Sequence, residues 1–151
     1  MSLNFYDDNE DTAKEESINN YIDLFYNYEI NPPNIKEALN QMFASSGASE
    51  IIIEELIEDI ISKSEKTIKR NLKKIKEKYP EITEDDSLTI SSYTCESKDS
   101  NFSPYRLLNT SLVSKNRKNG LEKISKYLYI LLNALRKLKR YYPEPDNNYL
   151  Y

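Results

Sequence analysis

Residues 121–138 read Leu-Glu-Lys-Ile-Ser-Lys-Tyr-Leu-Tyr-Ile-Leu-Leu-Asn-Ala-Leu-Arg-Lys-Leu, with Leu121, Ile124, Leu128, Leu131, Leu132, Leu135 and Leu138 at helical spacing for about five turns. A strand buries alternate residues and has no use for this spacing, so the stretch predicts one long amphipathic helix, stopped by Pro143. A helix with so wide an apolar stripe needs other helices to cover it. The neighbouring sequence supplies them, and the expected fold class is all-α: a compact bundle of about six amphipathic helices, with at most a short strand stub at Tyr149-Leu150-Tyr151.

Immediately upstream, Lys115-Asn116-Arg117-Lys118-Asn119-Gly120 reads as a basic turn. Before it, Ser103-Pro104 is an N-cap followed by Pro at the first helical position, opening a helix through Leu107, Leu108 and Leu112. Residues 97–102 read as a loop. Thr83 caps a helix whose first turn holds Glu84, Asp85 and Asp86, where the macrodipole favours negative charge, and Leu88, Ile90 and Tyr93 are its apolar positions.

The first half of the chain follows the same logic. Thr12 opens a helix with Ile18, Tyr21, Ile22, Phe25 and Tyr28 on one face, and Asn31-Pro32-Pro33 ends it. Asn34 caps a second, striped by Ile35, Ala38, Leu39, Met42 and Phe43 and closed by Ser45-Ser46-Gly47; together the two read as a helical hairpin. Ser49 caps a third that runs through Ile52, Ile53, Leu56, Ile57, Ile60 and Ile61 toward Pro80. Ser62-x-x-Glu65 offers a point at which it can restart, so one helix or two is left open. The basic run before Tyr79 gives way to the acidic turn after Ile82, which divides the chain into residues 1–80, hairpin plus long helix, and residues 81–151, a helical unit. The predicted core is Ile22, Phe25, Leu39, Phe43, Ile53, Leu56, Ile60, Leu88, Leu107, Leu112, Leu128, Leu131 and Leu135.

The 151 residues suffice for one ordinary domain, burying roughly 70 % of the unfolded surface. With 38 % hydrophobic and 30 % charged residues and a net charge of -4, the composition is that of a mildly acidic globular domain, with no single-sign field. No His and a single Cys, Cys95, exclude a His-based zinc site, a Cys-His nucleophile and an intrachain disulfide. Residues 1–8 lack a basic start and an apolar run, so no secretory signal is expected, and a cytoplasmic or otherwise intracellular location follows. No apolar run reaches membrane-spanning length.

Several clusters have plain readings. Asp7-x-Asn9-x-Asp11 lacks the Gly and Glu of a calcium loop and reads as a solvated acidic tail. Lys63 to Lys78 reads as a solvated helix face and Lys115, Arg117, Lys118 and Lys123 as a solvated turn, although both suit phosphate chemically. Most of the 13 tyrosines fall on the apolar stripes. Tyr105 and Asn109 differ, because a four-residue spacing puts both side chains on one helix face within reach of one ligand.

In order, Ile82-Thr83-Glu84-Asp85-Asp86, Tyr93-Thr94, Tyr105-Arg106-Leu107-Leu108-Asn109, the apolar run Leu131 to Leu138 and Tyr149-Leu150-Tyr151 follow one another. This order resembles the N-terminal helical lobe of the arginine-type ADP-ribosyltransferases, the group that includes the A subunits of clostridial binary toxins. The resemblance covers residues 82–151. It implies a lobe that precedes a mixed β core, with NAD held between lobe and core. It also implies cofactor-binding roles for Tyr105, Asn109 and Arg106. The family usually has an Arg four residues after the Asn. Val113 stands there in this chain, and Arg106 or Arg117 are the nearest substitutes.

The family's strand Arg, Ser-Thr-Ser strand and Glu-x-Glu loop have no counterpart in these residues, so no catalytic or metal-binding residue is expected, and NAD only in a longer parent enzyme. The leading expectation is the N-terminal helical portion of an NAD-dependent mono-ADP-ribosyltransferase, inactive alone, with a protein partner or target and neither nucleic acid nor membrane. The alternatives are a non-enzymatic helical protein-interaction module and a polyanion-binding helical adaptor.

Overall fold

The computed structural model describes residues 25–113 and 117–141, and the side chains of 117–119 fall outside it. The expected Ile22 core position, the helix start at Thr12 and the terminal tyrosines lie outside the described residues. Within them the chain is all-α, as the periodicity predicts. Helix α1 occupies residues 25–30. It is followed by α2 (Ile35–Ala44), α3 (Glu50–Lys69), α4 (Leu72–Lys78), α5 (Glu84–Tyr93), a 3-10 turn (Ser100–Phe102), α6 (Pro104–Leu112) and α7 (Arg117–Lys139). None of these helices is long and apolar enough to cross a membrane.

The caps form where the side chains allow. Asn34 Oδ1 accepts from the Glu37 amide at 2.8 Å, and Ser49 Oγ accepts from the Ile52 amide. Thr83 and Asp86 make a reciprocal capping box, each side chain accepting the other's backbone N–H at 3.0 Å. Gly47, between α2 and α3, has φ of 84°. A Cβ there would meet nothing within 4 Å, so glycine is favoured by backbone conformation, not by space.

Helix α7 is the post around which the bundle is built: α2, α5 and α6 all pack on it, and α3 packs on α2 and α5. One core cluster joins both halves of the sequence, uniting Leu39, Phe43, Leu56 and Ile60 with Leu108, Ile124, Tyr127 and Leu131.

The expected elements shift in four places. The helix from Ser49 breaks, but at Arg70-Asn71 instead of Ser62. Buried Ile53, Ile57, Ile60, Ile61, Ser64 and Ile68 hold α3 against its neighbours straight through Ser62, whereas α4 beyond them has no buried residue. Helix α7 begins at Arg117, so Gly120 is a buried helical residue and the expected basic turn is shorter. On α7 the inward stripe is Ile124, Tyr127, Leu131 and Ala134. Leu132 and Leu135 are thereby rotated outward, and Leu135, expected in the core, is 42 % exposed. Leu112, also expected in the core, is the last residue of α6 and is 41 % exposed, because the helix ends before its side chain is covered.

Helix α5 shows the fourth shift. Leu88 and Ile90 are only half-buried and pack against the rim of the cluster, while Ser87, Thr89 and Ser92 are its buried residues. Helix α5 lies between α3 and α7, and small hydroxyl side chains let it approach both. The cost of burying the hydroxyls of Thr89 and Ser92 is offset by hydrogen bonds: Thr89 donates to the Asp85 carbonyl and Ser92 to that of Thr89, while the Ser92 and Tyr127 hydroxyls lie 2.7 Å apart.

Candidate functional site

The candidate residues stand where α5 ends and α6 begins. Ser103-Pro104 starts α6 with Pro at its first turn, as expected, and Leu108 anchors the helix by its buried side. One α-helical turn holds Tyr105 and Asn109 on the other side, Tyr105 half-buried and Asn109 exposed.

Tyr93, at the last turn of α5, completes the group. Its hydroxyl donates to Asn109 Oδ1 at 3.3 Å, and its ring stands edge-on to that of Tyr105, 6.4 Å between centroids at 78°. Two aromatic edges and a side-chain amide therefore meet on a solvent-facing surface whose back is fixed to the core. With Oδ1 taken by Tyr93, the amide NH2 of Asn109 is left as the donor side of the group. Such a surface suits a flat, hydroxyl-rich or anionic ligand: tyrosine faces and edges for a ring, the amide for a ribose or phosphate oxygen.

Arg106 is exposed, one residue beyond Tyr105 and three before Asn109, which places its guanidinium on the same rim of α6. Val113 is the C-cap of α6 and is 81 % exposed. The side chain of Arg117 lies outside the described residues. Sequence reasoning had placed Tyr93 among the packing tyrosines, and its role in orienting Asn109 was missed. The Tyr93-Thr94 pair in the family-like order was the available signal.

Nearby, Lys63 reaches across from α3 and donates to the Glu96 carbonyl at 3.0 Å while pairing with Asp59 at 3.1 Å. Burial pushes the Cys95 thiol up, with Lys63 partly opposing the shift. A protonated thiol is a poor nucleophile, and nothing in the geometry activates it. An open hollow of about 350 Å³ lies elsewhere, bordered by Tyr28, Pro32, Pro33, Glu37 and Lys126; none of Tyr93, Tyr105, Arg106 and Asn109 lines it.

No protein-family model matches the chain, and no curated protein or solved structure matches it either.

Proposed function

We propose that helices α5 to α7 form the helical wall of an NAD cleft in an arginine-type mono-ADP-ribosyltransferase, a wall that binds the dinucleotide but supplies no catalytic group. The observation that carries this reading is the convergence of Tyr93, Tyr105 and Asn109 on one solvent-facing surface. These residues come from two motifs that the resemblance sets in order, and α6 buries its opposite side. In this reading Tyr105 and Tyr93 line the cleft, and Asn109, oriented by the Tyr93 hydroxyl, donates to a ribose or phosphate oxygen. Arg106 contributes positive charge where the usual arginine is replaced by Val113. The chemistry of transfer needs a carboxylate to stabilise an oxocarbenium-like transition state, and that group belongs to the catalytic half of the parent enzyme.

Two-dimensional NMR of this chain with millimolar NAD tests the site directly. The resonances of Tyr93, Tyr105 and Asn109 should shift, and Asn109→Ala should abolish the response at Tyr105. Shifts confined to other surfaces, or NAD turnover by the 151 residues themselves, would refute the assignment. In the parent enzyme Asn109→Ala should weaken NAD binding by about 1–3 kcal/mol, the range for a hydrogen bond to a charged group.

A protein-binding reading is favoured by one further observation: Leu112 and Val113 expose apolar surface at the tip of α6 beside the same site. Such a patch suits a target or partner protein at the edge of the cleft. Val113→Asp should then abolish partner association and leave the NAD-induced shifts intact.

A further inference from the structure

The far end of α3 and the adjoining α4 are rich in exposed cations. Lys63 is used internally, by Asp59 and the Glu96 carbonyl. Beyond it Lys66, Lys69, Arg70, Lys73, Lys74 and Lys76 are all exposed, and no ion pair joins any of them to a described residue. Residues 66–76 contain no Asp or Glu, although the whole chain has a net charge of -4. Two basic side chains elsewhere do meet acids: Lys137 meets Asp86 at 2.9 Å and Arg140 meets Glu81 at 3.2 Å. Of the apolar residues between the cations, Ile68 is buried, while Leu72 and Ile75 are half-buried. The six exposed cations follow one another along residues 66–76 as a band.

We infer that this band docks the phosphodiester backbone of a double-stranded nucleic acid, without reading its bases. Lysine ammoniums are compact point charges suited to phosphate, and each one engaged releases condensed counterions, which drives binding without sequence preference. The other polyanionic or protein partners fit less well. Protein interfaces are depleted in lysine, and only Arg70 in this band is of the enriched type. A single strand needs exposed aromatic platforms, and an anionic bilayer is held stably only with a second, apolar signal. The large exposed hydrophobic side chains of the described residues, Tyr26, Ile30, Ile51, Ile52, Leu112, Val113, Leu132 and Leu135, all lie outside residues 66–76.

Fluorescence anisotropy of the intact chain with a labelled duplex of about 20 base pairs tests this. Binding should be micromolar or tighter at about 50 mM salt and the same for duplexes of unrelated sequence. If five cations engage phosphates, log K should fall against log salt with a slope of about -4.5, weakening binding ~500-fold between 50 and 200 mM. The combined Lys66→Gln, Lys69→Gln, Lys73→Gln and Lys74→Gln variant should flatten that slope to about -1. Since all four side chains are exposed, its circular dichroism and Tm should be unchanged. Lys36→Gln with Lys123→Gln, exposed outside the band, should alter neither slope nor affinity. The proposal is overturned by any of four results: no duplex binding at low salt, undiminished binding by the four-lysine variant, tighter binding to a single strand of equal length, or binding to phosphatidylserine vesicles but not to duplex.

Discussion

Helices α2 and α5 are both ten residues long, both capped at the N-terminus by a side chain, and both packed on α7, yet they are held there by opposite means. Helix α2 buries Ile35, Ala38, Leu39, Met42 and Phe43. Helix α5 buries Ser87, Thr89 and Ser92. Each large apolar side chain fully removed from water is worth about 1.5–3 kcal/mol, whereas an intramolecular hydrogen bond nets about 0.5–1.5 kcal/mol. Helix α2 is therefore fixed mainly by buried area, with Gln41 adding hydrogen bonds to Ser125 and the Lys126 amide. Helix α5 is fixed by geometry, because the Tyr127 hydroxyl lies 2.7 Å from that of Ser92 and 3.2 Å from the Thr89 carbonyl, an arrangement that works in one register only. The candidate site hangs from the end of this second helix, so the precision of Tyr93 rests on buried hydroxyls.

The largest expected effect lies on the apolar side. Phe43 is fully buried and meets Phe102 edge-on, with ring centroids 5.3 Å apart. Phe43→Ala should cost about 3–5 kcal/mol by urea denaturation. A loss below about 1 kcal/mol would break the contrast between the two helices.

Tyr127→Phe comes next and sharpens it. Removal of the hydroxyl should cost about 1–3 kcal/mol, and the amide of Asn109 should lose its fixed orientation by NMR. Burial also holds the Tyr127 hydroxyl well above its ordinary value of 10.0. A raised folded-state pKa means that the unfolded chain releases its proton first. Tyr127 therefore contributes stability in full below about pH 10 and loses it as the pH rises further, by up to about 1.4 kcal/mol per unit. Stability measured between pH 9 and 11.5 should fall less steeply for Tyr127→Phe than for the native chain; parallel curves would show that the hydroxyl is not withdrawn from water.

Thr83→Ala removes one half of the capping box and should cost about 0.5–2 kcal/mol, read as a lower Tm. An unchanged Tm would mean that tertiary packing alone keeps α5 wound. Leu135→Ala should have the smallest effect, less than about 1 kcal/mol, against about 2–5 kcal/mol for Leu131→Ala one turn earlier on the same helix. Equal costs would place Leu135 under a cover that the described residues do not provide.

The helices of this protein were legible because their apolar residues recur at helical spacing and Asn34, Ser49, Thr83 and Pro104 mark their starts. The orientation of a helix between two neighbours was not. Periodicity gave Leu88 and Ile90 as the inner face of α5, and no pattern of hydrophobicity reveals that serine and threonine face inward, since their burial depends on partners distant in sequence. The α7 stripe was similarly over-read: seven apolar positions stand at helical spacing, but α2, α5 and α6 cover only the side bearing Ile124, Tyr127 and Leu131. At the candidate site the Tyr105-Asn109 pairing followed from helix geometry. The approach of Tyr93 required knowing how α5 meets α6, information carried by the 3-10 turn and loop between them.

The position of α7 also sets a timetable for synthesis. Gln41 and Tyr28 bond to Ser125, which lies 84 and 97 residues downstream, and α2 has its main packing surface on the same helix. A ribosome adding about 5–20 residues per second needs roughly 4–17 s to travel from Gln41 to Ser125. For most of that interval Leu39, Met42 and Phe43 have been made while the helix on which α2 mainly packs has not. Helix α2 thus waits for the last helix, and this bundle completes its core only once α7 has been made.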